Sequence, residues 1–115
     1  MLFRENKFRP CRDAERWYDE CNKKYFGGRC PVVRIGFYDK KAMKNSYAWT
    51  VRKEGFKFPS HIVFNPYFYD WVDELKRSLL HEMCHVYLPQ GVHHGPKFKK
   101  ELRRLLLAGA FDNLL

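Results

Sequence analysis

Along the chain, apolar positions change their spacing twice, from helical to strand-like and back, and each change marks a change of element type. From about Arg12 to Phe26, Ala14, Trp17, Tyr18, Cys21 and Tyr25 recur at three- and four-residue steps. That spacing predicts an amphipathic helix, stopped by Gly27-Gly28. After Pro31 the period collapses: Val32, Val33, Ile35, Phe37 and Tyr38 are β-branched or aromatic and read as a strand. Tyr47–Val51 reads as a second strand and His61–Phe64 as a third, with Gly55 and Pro59 punctuating the connection. Asn65-Pro66 closes the strand region.

Helical spacing then returns from about Tyr67 to Leu88. Val72, Leu75, Leu79, Met83 and Val86 make one apolar face. At about 100° per residue, His81 and His85 fall on the opposite side, with Asp70, Glu74 and Ser78. Pro89 and Gly91 end this helix, and Pro96 suits the first turn of another. Phe98, Leu102, Leu105 and Leu106 form the stripe of that last helix, and Gly109 is its expected end. The expected fold is α+β: an N-terminal helix, a small three-stranded antiparallel sheet, then two helices, with residues 1–115 forming one domain.

Composition narrows the class. With 115 residues, 45% of them hydrophobic and 17% aromatic, the chain can bury one core and is no candidate for disorder. Lys and Arg number 22 against 13 acids, a formal charge of +9, which favours polyanions without specifying a fold. The four cysteines, Cys11, Cys21, Cys30 and Cys84, form no C-x-x-C pair. Reduced thiols, a charged N-terminus and the lack of a long apolar run lead us to expect a cytoplasmic protein with no membrane partner; a monomer is expected.

The chemistry is concentrated in His81-Glu82-Met83-Cys84-His85. On a helix, residues four apart stand one turn above each other, so both imidazoles can reach one metal ion. Neutral imidazole suits Zn²⁺, and Glu82 lies next to the first ligand, where it can act as a base without binding the metal. A catalytic tetrahedral site needs a third protein ligand and one open position. His93 and His94 are the candidates downstream. Cys84 lies to one side of the His stripe and is read as a small hydrophobe at the edge of the core. Asp70 and Glu74 could steady the ligand histidines or be solvated helix acids, and Tyr87 is a weak candidate for stabilising an oxyanion.

The run His81-Glu82-Met83-Cys84-His85-Val86-Tyr87-Leu88-Pro89, followed by His94-Gly95-Pro96-Lys97-Phe98, closely resembles the SprT-like metallopeptidase domain, to which the Spartan proteases belong. The likeness extends to Tyr25-Phe26-Gly27-Gly28-Arg29, to Pro31, to Ala48-Trp49 and to Ile62-Val63-Phe64-Asn65-Pro66. It implies a zincin-like arrangement with one zinc ion held by His81, His85 and His94, and Glu82 as general base. It also implies a protein or peptide substrate, in some relatives DNA-associated or DNA-crosslinked. Many relatives add a C-terminal zinc ribbon or DNA-binding extension; up to Leu115 this chain shows neither, so a minimal form is expected.

Basic residues could serve nucleic acid instead. Lys97, Lys99, Lys100, Arg103 and Arg104 crowd the last helix, and Lys40, Lys41 and Lys44 cluster in an expected loop. Tyr47 and Trp49 could stack on bases, although packing into the sheet is the commoner use of strand aromatics. Two rivals therefore accompany the peptidase reading: a basic nucleic-acid-binding module with a structural zinc, and a zinc hydrolase of a non-protein substrate. An intact Glu82 counts against the first, since a structural site needs no base.

Overall fold

The structure, a computed structural model, describes residues 3–88, 94–112 and 114. Among these, a four-stranded sheet is covered on one face by helices and on the other by the N-terminal segment. The strands are β1 (Arg9–Pro10), β2 (Arg34–Phe37), β3 (Ala48–Val51) and β4 (His61–Phe64). The helices are α1 (Arg12–Tyr25), α2 (Lys40–Met43), α3 (Val72–Tyr87) and α4 (Pro96–Leu107). The α+β class is as expected.

The sheet differs from the expected three-stranded antiparallel meander. Its order is β1-β2-β4-β3. β4 runs parallel to β2, with Ile35 opposite Ile62, and antiparallel to β3, with Trp49 opposite Val63. Parallel neighbours need a crossover, and the segment holding α2 and β3 supplies it. β4 thus occupies the interior of the sheet, and all four of its residues are buried. Ile62 and Phe64 face the helices, while Val63 joins Phe8, Tyr38, Met43 and Val51 on the other face. A strand covered on both faces reads as an unbroken apolar run, which hides its neighbours' identity from the sequence.

β1 has no precedent in the hydrophobic pattern. It pairs with β2 through Arg9–Phe37 and Pro10–Gly36. A Cβ on Gly36 would stand 2.0 Å from the Arg9 carbonyl oxygen, so only glycine admits this approach. The preceding residues carry Phe3 and Phe8 onto His61, at ring distances of 4.6 and 4.8 Å.

Local chemistry sets the helix ends. Gly27 and Gly28 take φ of 62° and 74°, and the Phe26 and Gly28 amides both donate to the Asn22 carbonyl, closing α1. The Asn22 side chain then holds Cys30 by its amide and carbonyl at 2.9 and 3.0 Å. Lys40 and Lys41 sit in a helical turn rather than a loop, because the Asp39 carboxylate caps it and Met43 anchors it in the core. The expected long helix begins at Val72 instead of Tyr67. Asn65 accepts from the Tyr67 amide and diverts Pro66–Phe68 into a separate 3₁₀ turn. Val72 and Leu106, expected on apolar faces, are exposed at the margins of their helices.

Candidate metal centre

α3 packs against β3, β4, α1 and α4, and its two sides are sharply different. Leu75, Leu79, Leu80, Met83 and Val86 enter the core. Cys84 is fully buried there, deeper than the expected core edge, and burial pushes its thiol up to about 12. A thiol so placed keeps its proton and has no part in the cluster described next.

His81 and His85 leave the opposite side of α3, one turn apart, and are half-buried. His94 comes back to them from the residue before the Gly95 N-cap of α4, where Pro96 occupies the first turn. The Nε2 atoms of His85 and His94 lie 3.0 Å apart, and those of His94 and His81 3.3 Å apart. All three donor atoms fall within 4.8 Å of one another. Nitrogens bound tetrahedrally to one zinc at ~2.0–2.1 Å would be separated by about 3.3 Å. The trio therefore fits a zinc-sized ion. Three imidazole nitrogens facing a common point have few other uses, because their lone pairs repel unless a proton or cation lies between them. Burial, and then the neighbouring His94, hold the His81 pKa below its ordinary value, favouring the neutral ligand form. His93 and the Pro89–Gly91 turn lie outside the described residues.

Phe98 is the floor of this cluster. Its ring is 5.0 Å from that of His81, 4.5 Å from His85 and 4.8 Å from His94, and it is almost fully buried. Helical periodicity marks Phe98 as core; only the spacing from His94 hints that it also touches every imidazole.

Glu82 stands beside the trio. The residue is 7% exposed, and burial raises its pKa to about 7. Thr50 of β3 donates from Oγ1 to Glu82 Oε1 at 3.0 Å, leaving Oε2 on the side of His81 Nε2, 3.8 Å away. Thr50 carries no signal in the sequence beyond strand propensity. A second contact also joins the strand region to α3: Arg52 donates from Nη2 to the His85 carbonyl at 2.9 Å. This places a guanidinium at the helix's negative end, against a carbonyl in its last turn.

Other sequence candidates fall elsewhere. Glu74 pairs with Arg77, and Asp70 is exposed; neither is joined to a histidine. Tyr87 packs on Phe26 and under Arg29 rather than facing the cluster. Lys97, Lys99, Lys100 and Arg103 are exposed on α4, whereas Arg104 is committed to Glu101 and lies over the Phe26 ring. Trp49 packs toward Tyr38 at the edge of the second core cluster, while Tyr47 is 43% exposed. No helix among the described residues is long and apolar enough to cross a membrane.

The family model described as the SprT-like family matches residues 14–110, most of the chain and every residue of the centre. No curated protein and no solved structure matches the chain.

Proposed function

The chain belongs to the SprT-like family, and from that membership and the converging histidines we propose that it is a zinc-dependent peptidase. The observation that carries the reading is the position of Glu82: buried beside the three donors, outside the donor set, and steered by Thr50. His81, His85 and His94 would hold the ion through Nε2. When bound, the ion would supply Lewis acidity toward the scissile carbonyl and would lower the pKa of water at the site toward ~7.

The remaining work falls to the protein. Glu82 accepts a proton at Oε2 and returns it to the departing amine. A carboxyl whose burial lifts its pKa to about 7 is suited to both halves of that exchange near neutrality. Thr50 binds Oε1, which biases the carboxylate to keep its other oxygen toward His81. Among the described residues the cluster offers three donors, which favours an open catalytic site over a closed structural one with four.

Glu82→Gln tests this. It preserves size and removes the base, so zinc content stays near one per chain while cleavage of an unfolded protein slows at least ~10²-fold. Equal rates for the two proteins would displace Glu82 from this role. A wild type inert toward all protein substrates would favour a structural zinc or another hydrolysed bond.

We also propose a weak, sequence-independent interaction with DNA through Lys97, Lys99, Lys100 and Arg103, whose exposed side chains lie on the helix that follows His94. Such binding weakens steeply with salt, and charge reversal at Lys99, Lys100 and Arg103 should flatten the slope. Salt-independent binding would refute it and leave the peptidase reading intact.

A further inference from the structure

β3 forms an edge of the sheet; among the described residues no strand lies beyond it. Tyr47 and Val51 direct their carbonyls inward, to the amides of Asn65 and Ser60. Strand alternation then turns the backbone groups of Ala48 and Thr50 outward. Beside this edge runs a cleft of about 400 Å³, lined by Ser46, Tyr47 and Ala48 on one wall. The facing wall is α3, through Glu74, Arg77, Ser78, His81 and Glu82. One end of the cleft is therefore the metal centre itself.

Beyond Tyr47, which lines the cleft, the adjoining surface is aromatic. Tyr47 lies 4.3 Å from Phe68, and Phe68 lies 5.5 Å from Trp71, the N-cap of α3. Phe68 is buried beneath them, but Tyr47 is 43% and Trp71 54% exposed. Trp71 shares the α3 stripe of Glu74, Ser78 and Glu82, at three- and four-residue steps. From Trp71 to Glu82 the helix climbs about 16 Å, the reach of about five extended residues. A cluster of large aromatics partly left in water next to a cleft is the kind of surface that marks a binding site.

We propose that Tyr47, Phe68 and Trp71 form a shelf that selects an apolar side chain of an extended polypeptide, about three to five residues from the bond that Glu82 acts on. This rests on the peptidase reading above and names the substrate that site prefers. Outward amide and carbonyl groups on an edge strand are matched by another extended backbone. A phosphate backbone offers no such ladder. It would also meet Glu74 and Glu82 in the cleft, where the cation Arg77 is already paired with Glu74.

The test uses the full chain, zinc-loaded, carrying Glu82→Gln so that binding is read without turnover. Two fluorescent ten-residue unstructured peptides differ at one position, Phe in one and Ser in the other. The Phe peptide should bind about tenfold more tightly, the yield of partly burying one aromatic side chain. Adding Tyr47→Ala and Trp71→Ala, both surface changes, should erase that preference with zinc content unchanged. Equal affinities, no binding, or a preference that survives both substitutions would overturn the shelf. So would a single-stranded oligonucleotide that binds more tightly than the Phe peptide and depends on the same two residues. Wild type that cleaves both peptides equally well would overturn the shelf and keep the peptidase. Wild type that cleaves neither, while the Tyr47- and Trp71-dependent preference persists, would keep the shelf and remove the peptidase.

Discussion

Thr50 holds Glu82: its hydroxyl donates to Oε1 across 3.0 Å, from the edge strand to the helix that bears the histidines. Because a carboxylate has two oxygens, fixing one decides where the other points. Thr50→Val keeps the shape and removes the donor. A hydrogen bond to a charged group contributes about 1.5–3 kcal/mol, so kcat should fall about 10- to 100-fold with KM little changed. Thr50→Ser should restore most of it, and zinc content should not move in either variant. A loss of zinc from Thr50→Val would mean that the hydroxyl supports the metal centre rather than the base.

Phe98 touches all three imidazoles and should set how well they are pre-arranged. Phe98→Leu retains an apolar side chain but not the flat ring surface. Competition against a chromophoric chelator should show zinc affinity reduced at least ~10-fold, the range seen when a ligand's supporting partner is lost. Thermal unfolding of the metal-free protein should change little by comparison. Unaltered affinity would reduce Phe98 to a core residue.

His94 supplies the donor from beyond α3, and the prediction is a contrast. His94→Ala should lose tightly bound zinc, and His93→Ala should retain it, by elemental analysis after dialysis. The reverse result would move the third ligand by one residue and break the match between the donor cluster and His94-Gly95-Pro96-Lys97-Phe98.

His61 makes the fold sensitive to acid. It is buried between Phe3 and Phe8, with Nδ1 against the Ser60 hydroxyl, Nε2 3.2 Å from Glu5, and Lys53 and Arg34 nearby. Burial, opposed in part by Glu5, lowers its pKa below the usual value. The unfolded chain therefore binds a proton more readily than the folded one. The contribution of neutral His61 is complete above about pH 6.5 and is lost as pH falls through the lower folded value. Thermal melts between pH 7.5 and 5 should show a steeper loss of Tm in wild type than in His61→Gln. Parallel profiles would show that His61 does not titrate on unfolding.

How much of this was legible beforehand depends on whether the information is local. His81 and His85 lie one helical turn apart, so spacing alone brings them together, and α1, α3 and α4 follow from periodicity and punctuation. His94 was reached through resemblance, not geometry. Thr50 and Arg52 were invisible because their partners, Glu82 and the His85 carbonyl, are contacts across space with no sequence spacing. The sheet order is not legible in the sequence, because an all-buried strand such as His61–Phe64 does not state which strands flank it. Burial of Glu82 ran against charge: nothing in an acidic residue beside a histidine announces that a strand will cover it.

The central place of β4 has a consequence for how the molecule assembles. β2 and β3 share no border; each is bonded to β4, the last strand among the described residues. Until residues 61–64 are in position, β3 has no strand to pair with among the described residues, and Thr50 is not held in register. Local pairing of β3 with β4 closes a short loop, whereas the β2–β4 pairing joins more distant residues and carries the larger entropic cost. On these grounds the β3–β4 hairpin is expected to form before β2 joins the sheet. The aim of the Glu82 carboxylate thus depends on a strand that supplies neither partner of its hydrogen bond to Thr50.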